Sequence, residues 1–576
     1  MASSPCCGTL IAVRRRYAPR TTRSTRFAQL VRSPYPYAYI MPVLTIFCRL
    51  DYFLSAQPFS VQDMKRIAHT HLAGSVALFL LAATTIPSTT VALVSSSDGQ
   101  ALLAWKASLG NPTALSNWSQ ATWACAWDGI VCYQERIIYL RLVGRGLSGG
   151  LDTLDTAALP DLVSLDLSGN NLGGAIPASI SGLRSLITLD LSSNRFNGSI
   201  PPQLGDMPYL ADIRLYNNSL VGAILHQLCR RLSLVALHIS NNRLTGELPG
   251  CLCDLQSMWY MDLSNNRFAG KLPDRWWNLR ALEFMDLSNN SFSGKIPAAM
   301  ANQSCSLRSL YLARNGFFGV FPPVLMSCNL LATLDIGYNR FFGAIPPWIG
   351  SQITSLKILS LKSNNFTGEI PSGLSRLSQL QLLNIANNSL TGSIPIAFGS
   401  LTSMRNPQNI SNTELLYGTR YNDKLVIIWK GQEQIFQRTI RLLAGMDLSG
   451  NLLSQRIPTE LTNLRGLRFL NLSRNNLSCG IPKNIGSLTF LESLDLSSNE
   501  LAGAIPPSIS SLLALGALNV SNNHLSGKIP ARSQMQTLTD PSIYSNNSGL
   551  CGFPIDIPCT NASLASDNRN GKEDDC

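Results

Sequence analysis

Histidine and charged residues are scarce in this 576-residue chain. The low charge argues against a disordered protein, and the few histidines argue against the common catalytic motifs. Charged residues make up 14% of the sequence and apolar residues 45%, whereas disordered chains combine high charge with low hydrophobicity. The five histidines form no Ser/His/Asp, HExxH or phosphate-loop pattern; they are His69, His71, His226, His238 and His524. The sequence therefore predicts an ordered protein that is not an enzyme and needs neither metal nor cofactor.

Long apolar runs are also scarce, which excludes a multi-pass membrane protein. One stretch, Leu72–Ala83 with an apolar continuation to Val94, follows the basic pair Lys65 and Arg66. A basic start, a short apolar centre and small residues after it are typical of a secretory signal peptide. We expect residues 64–94 to be that signal and the protein to enter the secretory pathway.

Acidic residues are rare at the N-terminus, where residues 1–66 hold ten Lys/Arg against Asp51 and Asp63. This segment accounts for +8 of the net charge of +12, and the remaining +4 is too weak to indicate a nucleic-acid partner. Residues 1–63 are consistent with an organelle transit peptide, or with a gene model whose true start is Met64. We favour the second hypothesis, because a transit peptide directly before a secretory signal makes little sense. We expect this leader to be disordered.

An internal repeat dominates the rest of the chain, as in LDLSGNNLGGAIP from Leu165 and LDLSSNRFNGSIP from Leu189. Its asparagine recurs every 24 residues, with two spacings of 25 and one of 63. The positions are 170, 194, 218, 242, 266, 290, 315, 339, 364, 388, 451, 475, 499 and 523. A degenerate first unit, Leu140–Leu151, makes fifteen. We assign repeats 1–11 to residues 137–404 and repeats 12–15 to residues 443–540.

Each recurring residue type within the unit has a physical role. In L-x-L the leucines alternate with outward residues, which is the period of a short strand. The asparagine amide both donates and accepts hydrogen bonds, so it can satisfy buried main-chain groups at the turn. Stacked units bury the apolar edges that no single unit can bury alone. The sequence predicts an α/β solenoid, a right-handed curved superhelix with a parallel sheet on its concave face and short helical or 3-10 segments on its convex side.

The string LxxLxLxxNxLxGxIP resembles the plant-type extracellular leucine-rich repeat over residues 98–560. Residues Asp98–Gly110 predict an amphipathic helix with Asp98 as its N-cap and a glycine at its end. The resemblance implies an N-terminal cap over residues 95–136, with a disulfide between Cys125 and Cys132. It also implies a C-terminal cap over residues 541–560, with the pair Cys551 and Cys559. Their spacing does not match a CxxC zinc cluster.

The repeat register suggests further cysteine pairs. Cys229 and Cys253 are 24 residues apart, so stacking would bring them within the Cα–Cα range of a disulfide. Cys305 and Cys328 are one residue off this register and form a weaker candidate pair. We expect Cys251 and Cys479 to be buried thiols.

Thirteen N-x-S/T sequons mark potential N-glycans on a secreted chain, although the repeat motif itself generates many of them. They begin at Asn117, Asn197, Asn217, Asn289, Asn302, Asn365, Asn387, Asn409, Asn471, Asn476, Asn519, Asn546 and Asn561.

An insert of residues 405–442 interrupts the array just before its last four repeats. It contains Leu425-Val-Ile-Ile-Trp429-Lys430-Gly-Gln-Glu433, which predicts strand, turn and strand. Such an island, with Trp429, Lys430 and Glu433 at its centre, resembles that of plant receptor-like proteins that lack a kinase. The resemblance implies contact with a ligand or co-receptor; the alternative is a surface flap that packs against the array.

Residues on the strands that do not face the core are mostly Asp, Ser, Asn or Gly, but the fourth to tenth repeats depart from this default. Aromatic and arginine side chains dominate interface energetics, so an extended peptide or protein ligand is expected here, with a carboxylate near Arg308 and Arg314. The alternative is drift on a tolerant surface. The candidates are Arg214, Tyr216, His238, Trp259, Tyr260, Glu283, Phe284, Arg308, Tyr311, Arg314, Tyr338, Lys357 and Lys362.

The resemblance implies a non-catalytic receptor-like glycoprotein at the extracellular face of the plasma membrane, acting in defence or developmental signalling through a partner kinase. Residues 561–576 form an acidic tail that stops where family members continue into a membrane span. We expect either a truncated gene model or a soluble, apoplastic protein. The alternative function is a secreted inhibitor of cell-wall-degrading enzymes, similar to polygalacturonase inhibitors, which are usually shorter and lack an island.

Overall fold

A computed structural model describes residues 96–110, 112–229, 233–298, 305–406, 425–429, 432–436 and 443–559. The expected leader, signal peptide and acidic tail lie outside the described residues, as do most of the insert, including Lys430, and the sequons Asn302, Asn409 and Asn561. The same holds for the side chains of Trp429 and Glu433. No helix among the described residues is both long and apolar enough to cross a membrane.

One sheet runs through the repeat array, and within the described residues it contains sixteen strands that pair in chain order. Numbering all strands along the chain, they are β1 (Ile130–Tyr133), β2 (Arg136–Arg141), β4 (Ser164–Asp166), β6 (Thr188–Asp190), β8 (Asp212–Arg214), β10 (Ala236–His238), β12 (Tyr260–Asp262), β14 (Phe284–Asp286), β16 (Ser309–Tyr311), β18 (Thr333–Asp335), β20 (Ile358–Ser360), β22 (Leu382–Asn384), β26 (Gly445–Asp447), β28 (Phe469–Asn471), β30 (Ser493–Asp495) and β32 (Ala517–Asn519). The β1–β2 pair is antiparallel, and from β2 onward each strand pairs in parallel with the next. The middle residue of each three-residue strand, such as Leu165 or Leu189, is buried in one continuous core. The predicted solenoid with its parallel sheet is confirmed.

A second set of strands, which the sequence did not predict, follows the asparagine turn of most repeats. It forms sheets of three, eight and five strands. These outer strands are β3 (Ser148–Gly149), β5 (Asn171–Ala175), β7 (Arg195–Asn197), β9 (Val221–Gly222), β11 (Arg243–Gly246), β13 (Arg267–Gly270), β15 (Ser291–Gly294), β17 (Gly316–Gly319), β19 (Arg340–Ala344), β21 (Asn365–Glu369), β23 (Ser389–Thr391), β27 (Ser454–Arg456), β29 (Asn476–Cys479), β31 (Glu500–Ala504), β33 (His524–Lys528) and β34 (Gly549–Cys551). The repeat glycine, for example Gly270 with φ of 80°, adopts a left-handed conformation that suits glycine. In the insert, β24 (Leu425–Trp429) and β25 (Gln432–Phe436) pair antiparallel.

Helices are short except in the N-terminal cap. They are α1 (Ser97–Ser108), α2 (Ile349–Gln352) and α3 (Thr402–Arg405). Ser96 caps α1 by accepting a hydrogen bond from the Gly99 amide, whereas the aspartate expected as the cap, Asp98, lies inside the helix and is buried. The 3-10 segments are Pro112–Leu115, Ala124–Ala126, Thr156–Ala158, Ala178–Gly182, Pro202–Asp206, His226–Cys229, Gly250–Asp254, Trp276–Asn278, Pro323–Ser327, Ser372–Arg376, Ile396–Ser400, Thr459–Asn463, Ile485–Ser487, Pro507–Ser511, Ser533–Thr537 and Pro541–Tyr544.

The asparagine turns form a ladder of buried hydrogen bonds between repeats. The Asn266 amide nitrogen donates to the carbonyl oxygens of Ile239 (3.0 Å) and Leu263 (3.1 Å), while its oxygen accepts from the Leu244 amide (3.0 Å). This arrangement recurs from Asn170 to Asn523, and Asn547 extends it into the C-terminal cap. The asparagine therefore serves its own repeat and the preceding one, as its two-sided chemistry requires.

Disulfides close both caps, Cys125–Cys132 and Cys551–Cys559, and a third joins Cys305 to Cys328. The predicted Cys229–Cys253 pair is wrong, because Cys229 bonds to Cys251 with a Cα–Cα distance of 5.8 Å.

Burial explains this correction. Cys253 points into the core and is fully buried as a free thiol, whereas Cys251 is only half-buried on the outer side of the same turn, beside Cys229. Burial also raises the pKa of the Cys253 thiol to about 11. Cys479 is disulfide-bonded as well, so neither Cys251 nor Cys479 is the thiol that we expected.

Candidate functional site

The concave face consists of the two residues that flank the buried middle residue of each main-sheet strand. In β12 these are Tyr260 and Asp262, on either side of Met261. Parallel pairing places Tyr260 beside Phe284 and Asp262 beside Asp286 on the next strand. Side chains at one repeat position therefore form a column with neighbours about 4.8 Å apart.

An aromatic cluster crosses this face on β10, β12, β14 and β16. The His238 and Tyr260 rings stack with centroids 4.1 Å apart, and Tyr260 and Phe284 stack at 4.5 Å. Tyr311 continues the series at 5.8 Å from Phe284, and Trp259 meets Tyr260 edge-on at 5.6 Å. We call these five residues the aromatic cluster. Strand spacing matches the preferred separation of stacked rings, so the sheet holds the cluster in a fixed order.

Three of the predicted binding residues are buried, which corrects the expectation that all of them would be exposed. Phe284 and Tyr311 are each 4% exposed, and Lys362 is 3% exposed. Phe284 is covered because it lies between the Tyr260 and Tyr311 rings, and Tyr311 is covered in part by Phe284, whose ring centroid is 5.8 Å away. Lys362 lies with its ammonium nitrogen 5.3 Å from the Tyr338 ring centroid.

His238 lies at the end of the aromatic cluster, next to a pair of charged residues on the preceding strand. Its Nε2 lies 3.7 Å from Oδ1 of Asp212, and the Arg214 guanidinium donates to Asp212 at 2.7 Å. Burial lowers the pKa of His238 to about 4; the Asp212 carboxylate opposes this shift and Arg214 adds to it. At neutral pH the imidazole is therefore an uncharged member of the stack. Burial also raises the pKa of Asp190, which lies 3.8 Å from Arg214.

Four predicted residues share one position, directly before the strand. They are Trp259, Glu283, Arg308 and Lys357, linked by main-chain hydrogen bonds from repeat to repeat. Arg308 Nε lies 3.3 Å from Glu283 Oε2, so a salt bridge borders the aromatic cluster at this edge of the sheet.

The other edge carries Arg314, Tyr338 and Lys362, with Tyr216 at the Lys362 position of an earlier repeat. The Arg314 guanidinium lies 4.3 Å from the Tyr338 ring centroid, a cation–π distance. Arg308 and Arg314 thus lie at opposite ends of β16 with different partners. The structure does not bring them together as one carboxylate site.

A second group on the same face was missed by sequence reasoning. In β28 the Phe469 ring packs where a β-carbon on Gly445 would lie, and Arg468 Nη1 pairs with Glu492 Oε1 at 2.7 Å. The signal was a phenylalanine at a strand position where the following repeats have Ser493 and Ala517.

The sequons on described residues fall into four structural settings. Asn471 and Asn519 lie on the concave face, where their side-chain oxygens accept hydrogen bonds from Ser473 and Ser521. Four lie exposed at the turn with positive φ: Asn217, Asn289, Asn387 and Asn546. Three lie exposed on outer strands: Asn197, Asn365 and Asn476. Asn117 is half-buried in the N-terminal cap.

Comparison with protein families identifies the repeat. Residues 95–133 match the leucine rich repeat N-terminal domain, and residues 157–222 and 232–292 match a leucine rich repeat family model. A second leucine rich repeat model matches residues 355–377, 379–401, 466–488 and 490–512. The chain thus contains leucine-rich repeats, preceded by a leucine-rich-repeat N-terminal domain. Among its described residues, no group of three or more His, Cys, Asp or Glu side chains could hold a metal ion.

Relatives of this leucine-rich-repeat protein include receptor-like proteins and receptor kinases of Arabidopsis thaliana. It is 64% identical to Receptor-like protein 46 over 154 residues, which is 26% of this chain and 19% of that protein. It is 41% identical to the leucine-rich repeat receptor-like serine/threonine-protein kinase SKM1 over 83 residues, 14% of this chain and 9% of the kinase. The matches thus span less than a fifth of either relative.

Solved structures similar to the leucine-rich-repeat protein include plant receptor ectodomains. The plant peptide hormone receptor RGFR1 in complex with RGF2 matches with a TM-score of 0.47 and 25% identity, over 66% of each chain. The ectodomain of GASSHO1/SCHENGEN3 from Arabidopsis thaliana matches with a TM-score of 0.42 and 27% identity, over 72% of this chain and 56% of that one.

Proposed function

We propose that this leucine-rich-repeat protein is a receptor-like ectodomain that binds an extended peptide or protein segment on its concave face, without catalysis. The resemblance to plant receptor-like proteins adds a partner kinase, an extracellular location and a role in defence or development to the proposal. The similarity to Receptor-like protein 46 supports this assignment.

The aromatic cluster is the observation on which the proposal rests. At the strand position of Tyr260 and Phe284 several other repeats have small polar residues, such as Ser164, Thr188 and Ser493. Replacing these by stacked aromatic rings on consecutive strands adds apolar area in one place, and aromatic and arginine side chains are the usual binding hot spots. Because the rings already hold one another in place, a ligand would lose little free energy in ordering them.

Charged groups on both sides of the cluster add polar contacts for a ligand. The Arg308–Glu283 pair lies at one edge of the sheet and Arg314, stacked on Tyr338, at the other. A segment that crosses the face would meet rings at its centre and charges at its rim, the usual composition of a protein interface. An extended peptide rises about 3.3 Å per residue, so a segment of a few residues is long enough to cross several of these columns, which are about 4.8 Å apart.

Peptide selection tests the proposal with a probe that does not depend on the identity of the natural ligand. The full chain would be used to enrich binders from a displayed library of random linear peptides. Binding of the enriched peptides would then be measured on a variant that combines Trp259→Ala, Tyr260→Ala, Tyr311→Ala and Arg314→Ala. We expect affinity to fall at least about tenfold, because hot-spot truncations usually cost that much or more.

A matched control changes the same face where it carries ordinary residues, through Ser164→Ala, Thr188→Ala and Ser193→Ala. The control should bind the enriched peptides as the unmodified protein does. Far-UV circular dichroism of both variants separates lost binding from lost folding, which matters because Tyr311 is buried. Equal binding to the aromatic variant and the control, or no enrichment at all, would overturn the proposal.

A further inference from the structure

The outer strands carry an exposed apolar patch that has no part in the concave face. Phe318 on β17 and Phe342 on β19 are 41% and 48% exposed, and Val320 is 55% exposed. Other outer strands have small or polar residues at the Phe318 and Phe342 position, namely Thr245, Ala269, Ser293, Thr367 and Thr391. We call Phe318, Val320 and Phe342 the outer patch. Phe318 is opposite Arg340 in the pairing of β17 with β19, so Phe342 lies diagonally across from Phe318, two residues further along. Single exposed apolar residues are common, but a group of them on neighbouring strands usually has an occupant.

The next strand places a glycosylation sequon directly beside this patch. In the parallel pairing of β19 with β21, Phe342 is opposite Asn365, the first residue of the sequon Asn365-Phe-Thr367. Residues opposite one another in a sheet have β-carbons about 5 Å apart on the same face. Asn365 is exposed, and none of the hydrogen bonds found among the described residues involves its side-chain amide.

We infer that the outer patch is the seat of an N-linked glycan on Asn365, whose first sugar rings pack on Phe342 and extend towards Phe318. The face of a sugar ring presents C–H groups, and these pack favourably on the electron-rich face of an aromatic ring. Val320 lies at the side of the same site, because its Cγ1 is within van der Waals distance of the position that a β-carbon on Gly343 would take. The glycan would remove apolar surface of both rings from water.

Two other outer-strand sequons serve as internal references. Asn197 is opposite Ala175 and Asn476 is opposite Ser454, so neither has an aromatic neighbour at the paired position. All three asparagines are exposed on the same kind of strand. A difference between Asn365 and these two can therefore be attributed to Phe342 rather than to the outer strand itself.

Site-specific glycopeptide mass spectrometry of the full chain, secreted from mammalian cells, tests the inference. We expect carbohydrate on Asn365 and slower enzymatic release of that glycan from the native protein than of the glycans on Asn197 and Asn476. The substitution Phe342→Thr, which installs the residue found at Thr367 and Thr391, should remove the difference. Protection by packing comparable to a cross-strand pair corresponds to release slowed about two- to fivefold.

A double-mutant cycle gives a second measurement. Asn365→Gln should lower the melting temperature in the unmodified background but not in the Phe342→Thr background, since coupling between neighbours shows as non-additivity. Asn197→Gln should be unaffected by Phe342→Thr. An unmodified Asn365, equal release rates at all three sites, or additive effects in the cycle would overturn the inference and leave the outer patch to a protein partner. None of these outcomes affects the proposal that the concave face binds a peptide, because Asn365 and Phe342 are not part of that face.

Discussion

The buried asparagines show how a single side chain can specify the turn of every repeat. Asn266 donates to main-chain carbonyls of two repeats and accepts from the amide of Leu244. An aspartate has the same shape but no N–H, so Asn266→Asp would leave the carbonyls of Ile239 and Leu263 unpaired beside a buried charge. We expect a loss of about 3 kcal/mol in stability, measured as a lower urea midpoint.

The neighbouring turn asparagine offers the control for this prediction. Asn241 is exposed and has φ of 53°, a conformation that aspartate tolerates. Asn241→Asp should change stability by less than about 0.5 kcal/mol. Equal effects of the two substitutions would mean that the hydrogen bonds donated by the buried asparagines do not stabilise the protein.

His238 makes stability depend on pH in a defined window. Burial lowers its pKa to about 4, so between that value and the ordinary value near 6.5 the unfolded chain binds a proton that the folded protein does not. The contribution of His238 to the free energy of unfolding is therefore fully present above pH 6.5 and is lost as the pH falls towards 4. The loss can reach about 3 kcal/mol.

A glutamine at this position cannot titrate, so His238→Gln should remove that part of the pH dependence. The quantity to compare is the slope of the urea midpoint against pH between about 4 and 6.5, in the unmodified protein and in the variant. Asp190, whose pKa is raised by burial, contributes a slope of opposite sign to both proteins and cancels in the difference. Identical slopes would show that the pKa of His238 is the same in the folded and unfolded states.

At the scale of single elements, the N-terminal helix is joined to the array by one buried carboxylate. Asp98 on α1 pairs with Arg136 Nη1 at 2.9 Å and accepts from the Ile137 amide at 3.3 Å. Both partners lie on β2, an early strand of the main sheet. Asp98→Ala would leave these groups without a buried acceptor, and we expect a loss of about 2–3 kcal/mol.

Arg136 has a second carboxylate partner that serves as the control. Asp161 pairs with Arg136 Nε at 2.9 Å but is 52% exposed, and exposed pairs contribute about 0–1 kcal/mol. Hydrogen exchange of the α1 and β2 amides should rise in Asp98→Ala and stay unchanged in Asp161→Ala. Equal exchange in both variants would mean that the apolar contacts of α1 suffice to hold the cap.

The outer strands and the Cys229 disulfide could not be predicted from the sequence. The strand at L-x-L was predictable because its leucines alternate, whereas the outer strands have short sequences with glycine and little alternation. Their hydrogen bonds come from the neighbouring repeat. Whether Cys229 would meet Cys251 or Cys253 likewise depended on which side of a 3-10 turn each cysteine faces, and a spacing of 24 does not contain that information.

At the scale of the whole molecule, stability is expected to be a sum over neighbouring repeats. Deleting residues 497–520 removes 24 positions, joins Leu496 to Ser521 and keeps the register of the ladder. Deleting residues 497–519 removes one position fewer and displaces Asn523 from its carbonyl partners in the preceding repeat. We expect the first variant to keep the parent circular dichroism spectrum and a cooperative thermal transition.

The second deletion should show a weaker spectrum and a broad transition, because a shift of one residue turns core side chains to the opposite face. The two variants differ by a single valine, so composition cannot explain a difference between them. Similar transitions in both would contradict a stability model in which register controls the stacking of repeats.

The repeat, its period, the parallel sheet and the unusual residues on the concave face were all predictable from the sequence, because the same local pattern recurs in every repeat and departures from it are visible. Three features required the folded structure: which of the unusual residues are buried, the separation of Arg308 from Arg314, and the position of Phe342 beside Asn365. These are relations between neighbouring repeats, and they depend on strand offset and on which side of a turn a side chain faces.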